Sequence, residues 1–571
     1  MSSKRVLTLA LSGLFLALGG ALAFAGDPQA ADIVIRNGVI YDGKGGAPFN
    51  GGVAIRGERI VQLGDVSGWR AAREIDAKGL AIAPGFVNML SWANESLIED
   101  GRSLSDIKQG VTLEIFGEGS SMGPLTEPMK NAIRDSQVDL HYDITWTTLG
   151  EYLERLAARG VSANIASFVG AATVRSHEIG GQDRAPTPEE LSRMQGLVRQ
   201  AMHEGALGLS SALIYAPGAY AKTDELRALA AAAAESGGGY ISHMRSEAND
   251  LLQALDELIG IARSTGVHAE AYHLKAAGRA NWRKMQQAID LIDRARQAGL
   301  NISANMYCYS AAGTALAATI PPWAQEGGLD SMIERLRKPE VRKRVLREMR
   351  TPSDAWENLL IAVGSPDRVL LQSFKTDPLK QLTGKTLAEV AKARHESPED
   401  TVLDLVAEDH SPIGAAYFVM SEANVKRGLS QPWVSLGSDE ASEAPEGPFL
   451  RSLPHPRAYG NFARFLGQYV RDDKIATLAD AIRRLTWLPA QNWRLRNRGC
   501  IDLGCYADLV IFDPASIADR ATYDKPQQFA TGVRDVFVNG RQVLRNGEHT
   551  GATPGQVVRG PGWNGWTETS H

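Results

Sequence analysis

Short apolar runs separated by turn residues occur near both ends of the chain. Near the start, residues 53–55 and 60–63 are such runs, with Gly57 and Glu58 between them. Near the other end, residues 536–538 and 542–544 flank Asn-Gly, the dipeptide favoured in two-residue hairpin turns. This pattern is typical of β-strands. We expect the two ends to meet in one small β-sandwich domain.

The middle of the chain has a different pattern, in which apolar runs alternate with helical segments. The helical segment from Thr187 begins with a capping box and a proline at its first position. Eight apolar runs lie near residues 82–87, 111–116, 164–169, 206–209, 239–242, 268–272, 301–306 and 433–436. Eight β/α units predict an α/β fold of the TIM (β/α)8 barrel type. The alternative, an open doubly wound sheet, would have a glycine-rich phosphate turn after its first strand, and residues 84–88 do not form one.

These patterns predict a division of the chain into domains. The stretch of about 311–431 is too long for one barrel unit, so we expect an inserted subdomain before the last barrel strand. The predicted parts are a signal peptide at 1–25, the first part of the β domain at 26–83, the barrel at 84–495 and the second part of the β domain at 496–571.

The first residues have the features of an export signal. Lys4 and Arg5 precede an apolar segment, and Ala-Phe-Ala at 23–25 offers a cleavage site. The alternative is a single membrane anchor, since the apolar segment is barely long enough to span a bilayer. We expect cleavage, no stable membrane insertion afterwards, and a periplasmic or secreted protein.

Composition and charge exclude some partners. The chain has 571 residues, 44% of them hydrophobic, with a net charge of −5. There is no basic field of the kind that attracts nucleic acid. Three cysteines are too few for a disulfide framework, and we expect Cys500 and Cys505, although close enough to pair, to be unpaired.

Polar residues that can bind a metal ion follow several of the predicted barrel strands. Glu118, His243, His273 and Asp439 stand at such positions, and barrel enzymes place their chemistry at the carboxyl ends of strands. Imidazoles and carboxylates are zinc ligands, and a free carboxylate beside the metal can take a proton from water. The alternative is that each histidine is a hydrogen-bonded core residue. The two histidines at equivalent positions of adjacent strands favour a metal or substrate site.

At these residues the chain resembles a known family, the N-acyl-D-amino-acid deacylases (D-aminoacylases) of the amidohydrolase superfamily. The resemblance runs from about residue 31 to residue 547. Its motifs, in order, are DIVIRNG at 32–38, APGF at 83–86, GLSSALIYAPG at 208–218, SHMRSE at 242–247, HLKAAG at 273–278, GSD at 437–439, HPR at 455–457, and Arg498-Gly499 leading to ADLV at 507–510.

The resemblance implies a role for each matching residue. It implies that His243 and His273 bind the metal and that Asp439 is the general base. It implies that Arg457 binds the substrate carboxylate, for which a guanidinium offers a matching fork; the alternative is a surface or structural salt bridge. Tyr215 and Ser210 would lie near the substrate.

The chain departs from the family pattern at the metal ligands. Where the family has His-x-His after its first strand, this chain has Leu90 and Trp92. The family's cysteine ligand is absent, with Glu118 at or beside its place, and Ala171 replaces a histidine. We therefore expect one zinc ion, or another divalent metal, held by Glu118, His243 and His273.

The predicted function is metal-dependent hydrolysis of the linear amide bond of N-acyl amino acids, of D configuration by the resemblance. The expected partner is a small molecule, an N-acyl amino acid or short peptide. Two alternatives stay open: a catalytically dead or weak binding protein that keeps the pocket, and a hydrolase of dipeptides or cyclic amides.

Overall fold

The computed structural model describes residues 29–566; the signal peptide predicted at 1–25 lies outside them. The strands are β1 Ala30–Ile40, β2 Phe49–Arg56, β3 Arg59–Gly64, β4 Arg70–Asp76, β5 Ala81–Pro84, β6 Phe86–Asn88, β7 Val111–Phe116, β8 Asn164–Ser167, β9 Val169–Gly170, β10 Gly208–Ala212, β11 Gly239–His243, β12 Ala269–Ala271, β13 Ile302–Met306, β14 Ala312–Ala315, β15 Val369–Ser373, β16 Gly414–Tyr417, β17 Val434–Leu436, β18 Leu509–Phe512, β19 Val533–Val538, β20 Arg541–Arg545 and β21 Glu548–His549.

The helices lie mainly between the barrel strands and in the insertion. They are α1 Ala93–Glu99, α2 Leu104–Ile107, α3 Glu127–Ser136, α4 Leu149–Arg159, α5 Ala171–Ile179, α6 Pro188–His203, α7 Thr223–Ala234, α8 Leu251–Thr265, α9 Lys284–Gln297, α10 Leu329–Leu336, α11 Pro339–Met349, α12 Leu359–Val363, α13 Asp377–Lys380, α14 Leu387–Arg394, α15 Pro398–Asp409, α16 Glu422–Leu429, α17 Arg457–Arg464, α18 Leu478–Leu485 and α19 Trp487–Asn492. Among the described helices, none is long and apolar enough to cross a bilayer.

Strands from both ends of the chain form one sheet of nine strands. The order along it is β21-β20-β19-β18-β5-β1-β2-β3, with β4 also paired to β1. The two ends meet where β18 runs antiparallel to β5. Apolar side chains from both ends, including Ile35, Val53 and Phe537, pack in one core cluster.

Eight parallel strand positions form the barrel, which confirms the predicted fold. In order around it they are β6, β7, β8 with β9, β10, β11, β12, β13 and β17. The third position is bent: β8 pairs with β7, whereas β9 pairs with β10. The ring closes between its last and first strands, where the Met89 amide donates to the Leu436 carbonyl at 3.0 Å. The carboxyl ends of all eight strands therefore face one opening.

The apolar run predicted as one barrel strand at 82–87 is two strands, which corrects that expectation. Residues up to Pro84 pair in the terminal sheet, whereas Phe86 pairs with Val111 in the barrel. Gly85 lies at the crossing, and a side chain there would come within 2.1 Å of Thr112 Oγ1. The chain can change sheets there only because glycine has no Cβ to collide with β7.

A small subdomain lies between β13 and β17, as predicted. Its sheet of three antiparallel strands has the order β14-β16-β15. Helices α10 to α15 lie between its strands in the chain. The insertion therefore stands directly before the strand that leads to Asp439.

The expectation for two of the cysteines was wrong. Cys500 and Cys505 form a disulfide, and both belong to the core cluster of the terminal sheet. The two cysteines are five positions apart, and the turn between them is hydrogen-bonded to the amino-terminal part of the sheet through Ile501 to Asp42 and Gly504 to Ile60, both at 2.9 Å.

Candidate active site

The ends of four barrel strands bring the predicted site residues to one opening. His243 is the last residue of β11, His273 follows β12, Glu118 follows β7 and Asp439 follows β17. His273 has φ +32° and Asp439 has φ +54°. Non-glycine residues in this left-handed region are uncommon, and such strain is concentrated at functional sites.

Glu118, His243 and His273 converge on one point, as the strand positions predicted. Glu118 Oε1 lies 2.7 Å from His273 Nε2 and 3.2 Å from His243 Nδ1. The two imidazole nitrogens are 3.0 Å apart. Among residues 29–566, this is the one group of at least three metal-binding side chains whose ligand atoms come so close together. One carboxylate and two imidazoles are a donor set that zinc prefers, so these residues fit a metal ion.

Behind His273 lies a buried ion pair that the sequence analysis did not identify. Lys275 Nζ lies 2.6 Å from both carboxylate oxygens of Glu247. Glu247 Oε1 is 2.9 Å from His273 Nδ1, the ring nitrogen that faces away from the convergence point. Lys275 Nζ lies 2.8 Å from the same ring nitrogen, so the Glu247–Lys275 pair together fixes the orientation of the His273 ring. Glu247 and Lys275 lie within the quoted motifs, four residues after His243 and two after His273, and this spacing was the available signal.

Electrostatics favour an ionised carboxylate at the convergence point. Burial opposes ionisation of Glu118, but the two imidazoles, His273 first, hold the pKa of Glu118 below its usual range. Burial and Lys275 would lower the pKa of His273, but Glu247 and Glu118 raise it to about 9.

Asp439 is held by two side chains. Trp92 Nε1 donates to Asp439 Oδ1 at 3.1 Å, and Arg457 Nη1 lies 2.8 Å from Oδ2. Burial raises the pKa of Asp439, against the opposing effect of Arg457. A more basic carboxylate at the mouth of the barrel is suited to accept a proton from water.

Arg457 is a buried residue and not part of a surface salt bridge. Its side chain is 2% exposed. The contact to Asp439 is not along an N–H bond, and Nη1 and Nε have no hydrogen-bond acceptor. Glu440 Oε1 lies 4.0 Å from Nε. Buried donors without acceptors are costly, so this guanidinium is suited to an anionic ligand.

The two other residues expected near the substrate differ in their placement. Tyr215 lines the cavity, with its ring 5.2 Å from that of His243 and its hydroxyl 2.8 Å from Thr314 Oγ1. Ser210 does not line the cavity. Its hydroxyl donates to the Gly117 carbonyl and accepts from the Gly119 amide, so it holds the turn that carries Glu118. For Ser210 the structure replaces an expected substrate contact with a positioning role.

The site lines an open cavity of about 450 Å³. The lining includes Glu118, His243, His273, Asp439, Arg457 and Tyr215, together with Trp92, Glu247, Lys275, Glu357, Glu440 and Glu443. Leu90 is buried in an apolar cluster and Trp92 is 40% exposed. Neither the alkyl side chain of Leu90 nor the indole of Trp92 can bind zinc. This agrees with a site for one metal ion, held by Glu118, His243 and His273.

Comparison with known proteins gives consistent matches. A model of the "Amidohydrolase family" matches residues 104–544, more than half of the chain. A D-aminoacylase from Alcaligenes xylosoxydans xylosoxydans is 31% identical over 93% of this chain and 98% of its own length.

Solved structures agree. The N-acyl-D-glutamate deacylase from Bordetella bronchiseptica, complexed with zinc and a phosphonate inhibitor, is 30% identical over 93% of this chain and all of its own, with a TM-score of 0.76. A D-aminoacylase structure described with a binuclear metal centre, activation by one metal and attenuation by a second is 31% identical, with the same coverage and a TM-score of 0.78.

Proposed function

The chain belongs to the amidohydrolase family, and from this membership we propose that it hydrolyses the linear amide bond of N-acyl-D-amino acids with one bound zinc ion. It is a hydrolase of carbon–nitrogen bonds other than peptide bonds. One observation carries the proposal. A convergent group of three metal ligands, a buried basic carboxylate and a buried guanidinium with two donors that lack hydrogen-bond acceptors line the same cavity.

Glu118, His243 and His273 would hold the metal. When bound there, a zinc ion polarises the amide carbonyl and makes water more acidic. One catalytic metal needs three protein ligands and an open position, and the three are present. A D-aminoacylase among the relatives is described with one-metal activation, which supports a single ion.

Arg457 and Asp439 would perform the steps that the chain itself supplies. Arg457 binds the α-carboxylate of the substrate through Nη1 and Nε, which have no hydrogen-bond acceptor in the protein. Asp439 takes a proton from the attacking water and passes it to the leaving nitrogen. Because Arg457 also contacts Asp439, a substrate carboxylate that neutralises the guanidinium would make Asp439 a stronger base.

We also propose that the protein is exported. The disulfide between Cys500 and Cys505 supports this, because disulfides persist in oxidising compartments and are rare in the cytosol. Detection of the mature protein in the periplasm or medium, with a new amino terminus near residue 26, would test it.

The experiment for the proposed function combines metal analysis with a substrate panel. We expect about one zinc per purified chain, by the three-ligand argument. Turnover should be found with N-acetyl-D-amino acids and not with their L enantiomers. His243→Ala should lose the metal, whereas the matched control Leu90→Ala should keep it. Two equivalents of metal would contradict the single site, and a fully loaded protein without turnover would favour the binding-protein alternative.

A further inference from the structure

The lining of the active-site cavity includes three carboxyl groups that the proposed chemistry does not use. These are Glu357, Glu440 and Glu443, here called the acidic wall. Glu440 and Glu443 follow β17 in the segment after Asp439, and Glu357 comes from the insertion. Glu118, Glu247 and Asp439 add three more carboxyl groups to the lining.

The lysine and the arginine that line the cavity are already paired with other carboxylates. Lys275 contacts both oxygens of Glu247 at 2.6 Å. Arg457 lies 2.8 Å from Asp439 and 4.0 Å from Glu440, and we have assigned its free donors to the α-carboxylate. The acidic wall therefore lacks a full counter-charge among the cavity's own side chains.

The local contacts of the acidic wall show that its carboxyl groups lack a full complement of positively charged partners. Glu443 Oε2 is buried without a hydrogen-bond partner. Glu440 accepts only backbone amide hydrogens, from His455 at 3.2 Å and Ala441 at 3.4 Å. Burial raises the pKa of Glu443 to about 8 and that of Glu440 to about 6. Arg457 opposes this shift in the pKa of Glu440, whereas no cation opposes it for Glu443, whose pKa Glu440 raises further.

We propose that the substrate carries a cationic ammonium group that lies against the acidic wall, either at the end of its D side chain or as the free amino group of an aminoacyl moiety. The inference rests on the proposed function, because it assumes that the rest of the same substrate is bound by Arg457. The ammonium supplies the missing counter-charge. Complementary charge of this kind gives specificity, since a like charge at the same place is repelled.

The inference separates this chain from one of its relatives. The Bordetella bronchiseptica protein is named for N-acyl-D-glutamate, whose side chain is an anion. In the present cavity a second carboxylate on the substrate would meet Glu440, Glu443 and Glu357 with no unpaired cation beside them. We expect N-acetyl-D-glutamate to be the poorest substrate of the panel.

Two matched pairs of compounds test the inference and distinguish the two sources of the ammonium. N-acetyl-D-lysine and N-acetyl-D-norleucine differ by the ammonium at the end of the side chain. Glycyl-D-norleucine and N-acetyl-D-norleucine differ by the ammonium on the acyl group. In one of the two pairs we expect the ammonium compound to have a kcat/KM about tenfold higher, the ratio that corresponds to 1.4 kcal/mol.

The acidic wall is tested by the double variant E440Q/E443Q, which keeps the size of both side chains and removes their charge. We expect the preference within the favoured pair to fall to about one. Glu446→Gln is the matched control. Glu446 lies on the same segment, is exposed, pairs with Arg102 and is absent from the cavity lining. It should keep the wild-type preference.

Calorimetric binding to metal-free protein, which does not turn substrate over, keeps the test independent of catalysis. An ammonium preference in binding without turnover by the loaded enzyme would support the acidic wall and overturn the proposed function. Turnover and binding with no ammonium preference in either pair would overturn the inference and leave the proposed function standing. A preference that survives in E440Q/E443Q, or a best substrate with an anionic side chain, would also overturn it.

Discussion

Trp92 donates a hydrogen bond from Nε1 to Oδ1 of Asp439 at 3.1 Å. The indole stands in the segment where the resembling family has a metal-binding histidine, and it holds the carboxylate that we assign as the base. The same side chain that cannot bind a metal ion therefore positions the proposed base.

Asp439→Asn should abolish most activity without unfolding the protein. Asparagine keeps the size of the side chain but cannot accept the proton of water. We expect kcat to fall by roughly a hundredfold or more, the usual scale for a lost general base. KM should change less, because Arg457 binds the carboxylate. Steady-state kinetics and a melting curve on one preparation check this, and near-normal turnover would remove Asp439 from the mechanism.

Trp92→Phe should shift the pH dependence of catalysis. The indole N–H stabilises the ionised form of Asp439, so its removal raises the pKa of that carboxyl. The acidic limb of the kcat/KM profile should move to higher pH, while the metal content stays at the wild-type value. An unchanged limb with lower activity at every pH would show that the indole acts only by filling space.

Glu118→Gln and Glu118→Cys should have opposite effects on the metal. An amide is a poor zinc ligand, whereas a thiolate is a good one. We expect Glu118→Gln to lose the metal on dialysis and Glu118→Cys to retain about one equivalent by the same ligand argument. Metal analysis after dialysis checks both. Retention by Glu118→Gln would show that the carboxylate is not a ligand.

Asp106→Asn should make the stability of the protein less dependent on pH. Asp106 is fully buried, accepts from Asn88 Nδ2 at 2.9 Å, and has a pKa that burial raises to about 7. Its neighbour Glu114 also has a pKa raised by burial and then by Asp106. A pKa raised in the folded state gives stability that is full below the unfolded value, near 4, and is lost as the pH rises towards 7.

Melting temperatures of the wild type and Asp106→Asn between pH 4 and pH 8 test this. The wild type should lose stability towards neutral pH, and the variant should lose less because asparagine has no proton to release. Asp224→Asn is a suitable control, since this exposed carboxylate pairs only with Arg227. Parallel curves for all three proteins would contradict the assignment.

The positions of the site ligands could be predicted because they depend on local pattern. Each follows a short apolar strand, and barrel geometry brings such positions together. The contacts among Glu247, Lys275 and His273 depend on the side-chain rotamers of residues that follow different strands. The spacing of these residues in the sequence does not specify the rotamers. Ser210 was misplaced for a related reason. It lies in the middle of β10, where a side chain meets neighbouring strands below the mouth.

The acidic wall could not be inferred from the sequence either. Glu440 and Glu443 lie in an irregular segment, where no periodicity indicates which side chains face inward. Glu357 belongs to the insertion. Its side chain is held at the cavity because its carboxylate accepts hydrogen bonds from the backbone amides of Glu247 and Ala248, at 2.6 and 3.2 Å. Only the packed structure shows that these three carboxyl groups line the same cavity as the metal ligands.

The pairing of β5 with β18 has a consequence for how the molecule is made. During synthesis β5 emerges early and its partner only after more than 400 further residues. Until then β5 keeps an open edge, and such edges bind other strands and promote aggregation. Contacts so distant in sequence also form slowly. The barrel can begin to assemble during elongation, but the terminal sheet can be completed only after the last segment has been synthesised. A chain truncated near residue 500 would therefore have an incomplete sheet with an exposed edge that promotes aggregation.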